Sequence, residues 1–275
     1  MTHAPERLLS LTGAASIQGS YHNPLFNAAP SMDLPVLMQG ESQSRTRTRI
    51  LRVMRWGMKA AHGPLSAGRL NSIINARCET IATKPTFKPH LEKRRCVVPF
   101  DGWYEWTKDK VPHFVRHKGG DRLVMLAGLY DDDRHPASPS TTLNASLCAP
   151  SFTIVTVQSS ERLHFLHHRM PVVLDSQEAI DQWLSVGEVP FNACRKFLKP
   201  YQGPLDTFPV SRRVGNVRNN DASCMKAVEG GGDWTPGGAK VGKVRRTTGG
   251  VACKGLDRFL GIGNIDRDTT KRKIE

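Results

Sequence analysis

The feature that most constrains this chain is a succession of short segments rich in β-branched and aromatic residues: 49–56, 95–106, 113–116, 123–129 and 152–157. Each is bounded by Gly, Pro or charged turns, and each is too brief for a stable helix but the right length for a strand. Helical patterning is scarce. The clearest window is 176–186, with Ser176 placed as an N-cap and Ala179, Ile180, Trp183 and Leu184 at helical spacing; a second covers 189–198. Strands in the middle and helices nearer the ends predict an α+β fold built on a mainly antiparallel, barrel-like sheet with a few peripheral helices.

Length and composition set the organisation. The 275 residues favour one large domain with appendages. No apolar run approaches the roughly 18 residues that a membrane span needs, so an intracellular, soluble protein is expected. Composition shifts near residue 225: 11 of the last 50 residues are Gly and apolar periodicity fades, which predicts a domain over 1–225 and a Gly-rich, basic, disordered tail over 226–275. The stretch 131–150, with three Asp in a row and three prolines, reads as a long loop between strands. Six scattered cysteines without a C-x-x-C pair indicate reduced thiols rather than a zinc ribbon or a disulfide framework.

Charge narrows the function. There are 39 Lys and Arg against 25 Asp and Glu, a net charge of +14. That predicts attraction to a polyanion. The tail carries only +5 of it, leaving +9 on the domain.

Four clusters carry candidate chemistry. In Asp101-Gly-Trp-Tyr-Glu-Trp106, a strand would set Trp103 and Glu105 on one face and Tyr104 and Trp106 on the other. A carboxyl beside an indole is partly desolvated, which raises its pKa and suits it to proton exchange near neutrality; pairing with an arginine at a sheet edge is the equal alternative. In Asn75-Ala-Arg-Cys-Glu-Thr80, the Asn75 amide can orient a reacting group and Arg77 can hold a phosphate, whereas a capped strand end with a surface arginine is the commoner use of such residues. In His164-Phe-Leu-His-His-Arg-Met-Pro171, histidine suits proton transfer and Arg169 suits an anion; without a carboxylate at useful spacing or a Cys pair, no metal site is expected. Finally, Arg45, Arg47 and Arg49 alternate, as a phosphate-tracking stripe or as a solvated edge.

Taken together, these segments resemble the SRAP family of abasic-site processing proteins. The motifs follow in order: Phe26-Asn-Ala-Ala-Pro30, Met54-Arg-Trp-Gly57, Ile74-Asn-Ala-Arg-Cys-Glu-Thr80, Phe87-Lys-Pro89, Arg94-Arg-Cys-Val-Val-Pro-Phe-Asp-Gly-Trp-Tyr-Glu-Trp106, His167-His-Arg-Met-Pro171 and Val210-Ser-Arg-Arg-Val-Gly-Asn-Val-Arg-Asn219. The resemblance covers roughly residues 20–222 and implies binding of single-stranded DNA and covalent engagement of abasic sites. By the same resemblance, an N-terminal amine condenses with the ring-opened aldehyde of the abasic sugar. Glu105 is then the acid/base, His167 assists ring opening and Asn75 positions the N-terminus. Arg77 and Arg169 hold phosphates, Trp56 and Trp106 stack on bases, and no cofactor or metal takes part.

The chain departs from the family pattern at its start. Met1-Thr-His-Ala-Pro5 stands where members begin Met-Cys-Gly-Arg, and no cysteine precedes Cys78, so the thiol that would close a thiazolidine is missing. Thr2 still offers an amine for a Schiff base if Met1 is removed. A DNA-binding module without the chemistry is the alternative, and a peptidase activity a third reading. After Trp56-Gly57, Met58-Lys-Ala-Ala-His62 replaces the family's usual Pro-Ser-Trp. In the tail, Cys253-Lys-Gly-Leu-Asp-Arg-Phe-Leu260 is similar to a sliding-clamp-binding peptide in the spacing of Leu256 and Phe259, without its leading Gln. A monomer is expected, nuclear if the source is eukaryotic.

Overall fold

The computed structural model of the chain describes residues 1–40, 48–59, 72–132 and 149–228. The tail with its clamp-like segment, most of the 131–150 loop, and Arg45 and Arg47 lie outside the described residues.

The chain opens with α1 (Pro5–Thr12), which starts on proline and stops at Gly13, whose φ of 66° only glycine adopts without strain. There follow β1 (Ile17–Gln18), β2 (Asp33–Gln39), β3 (Arg49–Trp56), β4 (Met58–Lys59), β5 (Ser72–Ile73), β6 (Asn75–Arg77), β7 (Arg95–Phe100), β8 (Trp103–Trp106), β9 (Pro112–His117), β10 (Val124–Asp131), β11 (Ser151–Gln158) and β12 (Arg169–Pro171). Helices α2 (Gln177–Leu184) and α3 (Phe191–Cys194) and strand β13 (Leu205–Pro209) complete the order. The α+β expectation holds, and the strands at 49–56, 113–116, 123–129 and 152–157 fall where the sequence predicts them. Ser176 caps α2 by accepting from the Ala179 amide at 3.1 Å. The 189–198 window is helical, as α3 followed by a tighter 3-10 turn.

Five strands close a ring in the order β3, β2, β7, β10, β11, with β11 returning to β3. Most pairings are antiparallel; β1–β3, β3–β11 and β6–β11 are parallel. Closure hides the strand edges that would otherwise template pairing with other chains. The ring encloses the main core, which includes Leu34, Leu37, Leu51, Met54, Leu126, Leu129 and Phe152. α2 leans on β7: the Trp183 indole donates to the Cys96 carbonyl at 2.9 Å, and buried Arg95 donates to the carbonyls of Leu91, Trp183, Ser185 and Val189.

The structure corrects one boundary. The single strand expected over 95–106 is two strands, because the chain leaves the ring at Asp101–Gly102 and joins a second sheet, β13-β9-β8. Gly102 permits the transfer: a Cβ there would run into the Val115 carbonyl oxygen and come within 2.7 Å of the Phe114 ring. The second sheet covers a smaller core of Phe114, Val210, Val214 and Cys224, with Phe26, Tyr104, Trp106 and Phe208 packed against it. The buried Asn27 amide nitrogen lies 3.0, 3.2 and 3.1 Å from the carbonyl oxygens of Val214, Asn216 and Asn219, and Asn220 Oδ1 accepts from the Phe26 and Asn27 amides. Backbone pairing reaches Ala227 and Val228.

Gly102→Ala overpacks a backbone contact with no flexible side chain to yield. It is expected to lower stability by roughly 1–3 kcal/mol, read as a lower urea midpoint at unchanged slope.

Candidate active site and nucleic-acid interface

Strand alternation puts Glu105 on the same side of β8 as Trp103, which packs on the main core, while Tyr104 and Trp106 pack on the smaller one. Glu105 is 6% exposed. Its Oε1 lies 3.2 Å from the Trp106 amide, whereas Oε2 is buried without a hydrogen-bond partner. Burial pushes the carboxyl up to about 8, against a modest downward pull from the Trp106 amide. A carboxyl in this state holds its proton near neutrality and can give it to a substrate or take it back. No arginine carboxylate pair forms at Glu105 among the hydrogen bonds and ion pairs of the described residues, so the desolvated reading fits better than the edge pair. Directly across, on β9, stands His113.

Four residues before Glu105, Asp101 gathers the start of the chain. The Thr2 amide and hydroxyl donate to its two oxygens at 2.8 Å each, His3 Nε2 lies at 3.0 Å, and the Met1 amine at 3.5 Å. Burial raises the Asp101 carboxyl, but the amine, the Thr2 bonds and His3 outweigh it and hold the group below the ordinary range. The Met1 amine is buried and donates to the Leu25 carbonyl at 2.9 Å; burial lowers its pKa despite Asp101 nearby.

A second cluster forms at the far end of β11. There Arg77 on β6 stands opposite Thr156, and Arg169 on β12 opposite Gln158. The Arg169 guanidinium is buried and forked: two bonds go to Glu79 at 2.6 and 3.0 Å, and another to the Thr156 carbonyl at 2.7 Å. The fork holds the Glu79 carboxyl below its ordinary value. His167 Nδ1 lies 3.0 Å from the Arg169 amide nitrogen and 3.2 Å from the Arg169 carbonyl oxygen, so the backbone of Arg169 holds the ring in place through this one nitrogen. Burial first, then the charges of His168 and Arg169, lowers the His167 pKa against the backbone bond, so the ring is neutral at physiological pH. Asn75 pairs with Ile154 in the β6–β11 ladder and Arg77 is exposed.

The aromatic candidates differ from one another. The Trp56 indole donates to the Ile74 carbonyl at 3.1 Å and stacks on Phe152 with ring centres 6.3 Å apart and planes 10° from parallel. Trp106 is half-buried against the smaller core. Among the described residues, no group of three or more His, Cys, Asp or Glu is placed to hold a metal ion, and no helix is long and apolar enough to cross a membrane.

A sequence model of the SOS response associated peptidase (SRAP) family matches residues 1–217. The chain belongs to the SRAP family. The frog Xenopus tropicalis has a relative named abasic site processing protein HMCES, 32% identical over 232 residues that cover 75% of this chain and 67% of that protein. Bacillus subtilis has one named abasic site processing protein YoqW, 30% identical over 218 residues, 76% of this chain and 88% of that protein. A crystal structure of a protein from Bacteroides thetaiotaomicron shares the fold, with a TM-score of 0.62 at 22% identity over 83% of this chain and 98% of that one.

Against the SRAP motifs, the site has two members that no motif assigned a role. Asp101 begins the Asp-Gly break between sheets, and the only sequence signal was a carboxylate beside a glycine. Glu79 sits two residues after Arg77 within the same motif, and nothing in the sequence pairs it with Arg169, 90 positions away.

The buried carboxyl has a measurable cost. In the unfolded chain Glu105 titrates near 4.5, and in the fold near 8, so its neutral form stabilises the native state below pH 4.5 and that stability is lost as pH rises to 8. Glu105→Gln does not titrate. Its stability advantage over wild type, read from urea midpoints, should grow as pH rises from 5 to 8 and level off above that, toward roughly 2–5 kcal/mol in full.

Proposed function

We propose that this SRAP protein binds single-stranded DNA and processes abasic sites through an amine adduct. The observation that carries the reading is Glu105: a buried carboxyl with a free oxygen, pushed up to about 8 by its burial, on the strand next to Asp101. An amine attacks the C1′ aldehyde of the opened sugar to give a carbinolamine, Glu105 protonates the departing hydroxyl so that water leaves, and the Glu105 carboxylate takes the proton from the iminium nitrogen to leave an imine. His167 assists as the sugar opens, its ring supplying a proton to the ring oxygen. Asn75 positions the amine, Arg77 and Arg169 hold flanking phosphates, and Trp56 and Trp106 offer surfaces to bases. An amine that acts with no thiol beside it stops at the imine, which favours reversibility and strand cleavage over a durable cross-link. A DNA substrate places the protein inside the cell, in the nucleus where there is one; a monomer, with a clamp contact through the tail, completes the reading.

An oligonucleotide with one abasic site tests it. Borohydride should trap an adduct, and peptide mapping should locate the amine; Glu105→Gln should slow trapping by roughly 10²- to 10⁴-fold while leaving affinity within a few-fold. Binding without any adduct would leave a DNA-binding module and refute the chemistry.

Arg169 reaches a phosphate only by exchanging Glu79 for it. Glu79→Ala should therefore tighten binding to single-stranded DNA and steepen its salt dependence by about one unit of slope, and Arg169→Met should remove both effects. Unchanged affinity and slope in Glu79→Ala would confine Arg169 to holding β12 on β11.

A further inference from the structure

We propose that Phe165, resting on His113, is a stacking platform for one nucleobase of the bound strand. The inference rests on the single-strand reading above. The Phe165 ring is 59% exposed, one of two large apolar side chains so exposed among the described residues. It is nonetheless held in place. Leu163 and Leu166 on either side are buried in the main core, and backbone bonds from Leu166 and His167 to the Leu163 carbonyl wind the loop at 2.9 and 3.2 Å. The ring meets His113 edge to face, with centres 6.1 Å apart and planes at 83°.

Its position gives the exposure a purpose. His113 stands directly across the strand pair from Glu105, and His167 follows Phe165 by two residues, so Phe165 is near one candidate proton-transfer group in the chain and rests on the cross-strand neighbour of the other. The surroundings suit a phosphodiester strand: Arg162, His164, His168 and Arg77 are all exposed, and the charges of Arg77, Arg169 and His164 act on His168. A flat apolar ring inside a cationic rim matches a base whose own backbone is anionic, and stacking needs no base identity because every base has a π-face. An exposed Phe facing a protein partner would be expected in a wider apolar patch, whereas its loop neighbours His164 and His168 are polar.

The test uses a short oligothymidine carrying one tetrahydrofuran abasic analogue. Phe165→Ala and Phe165→Leu should weaken binding by roughly 5- to 150-fold, the range of base–aromatic stacking, and Phe165→Trp should retain it, all at unchanged Tm. Replacing thymines one at a time by non-planar 5,6-dihydrothymine should reveal one position at which wild type and Phe165→Ala bind equally. Full retention by Phe165→Leu would mean a plain apolar contact and overturn the platform. Affinity of Phe165→Ala within about twofold of wild type, while Arg77→Ala binds more weakly, would overturn it too and leave the DNA reading standing. Failure of the wild-type protein to bind the strand would remove both.

Discussion

The architecture depends on the hydrogen bonding of β11. Each edge of this eight-residue strand is shared by two partners in succession: β3 and then β6 along one side, β10 and then β12 along the other. The first half of the strand therefore closes the ring, and the second half carries the candidate site, holding Asn75 and Arg77 on one flank and Arg169 on the other. Seven of its eight residues are buried, consistent with a strand covered on both faces. A change that weakened β11 would open the ring and disperse the site together.

The second sheet answers a different requirement. A carboxyl becomes a proton donor near neutrality only when water is kept from it, and no exposed strand of the ring offers that. By leaving the ring at Gly102, the chain carries Glu105 into the angle between two cores, at a cost in native stability that grows as pH rises toward 8. Asp101, at the same turn, uses its charge in the opposite sense, binding the backbone of Thr2 instead of a solvent molecule.

Much of this was legible in the sequence because local chemistry wrote it there. The ring strands β3, β10 and β11 are dense in branched residues, α2 has both its cap and its apolar stripe, and the hexapeptide around Glu105 offered a desolvated carboxyl as one of two equal readings. What escaped was either too short or too distant. β2 is interrupted by Pro35, which argues against a strand within a sheet; it is tolerated because β2 pairs along its length with β3 but with β7 only at Leu37. β6 and β12 have three residues each, too few for a periodic signal. Arg169 looked like a free cation because its carboxylate lies far away in the chain, and Phe165 was indistinguishable from any core phenylalanine until its exposure was known.

The clasp at Asn27 bears on how the chain is made. Its bonds join residues 187 to 192 positions apart, and those of Asn220 to Phe26 and Asn27 span as far. A nascent chain emerging from the ribosome can pair β2 with β3 and Phe26 with Tyr104 early, but the Asn27 side chain stays without its three carbonyls until Asn219 is outside. Synthesis, rather than any ligand, thus sets the moment at which the wall beside Tyr104 and Trp106 becomes complete.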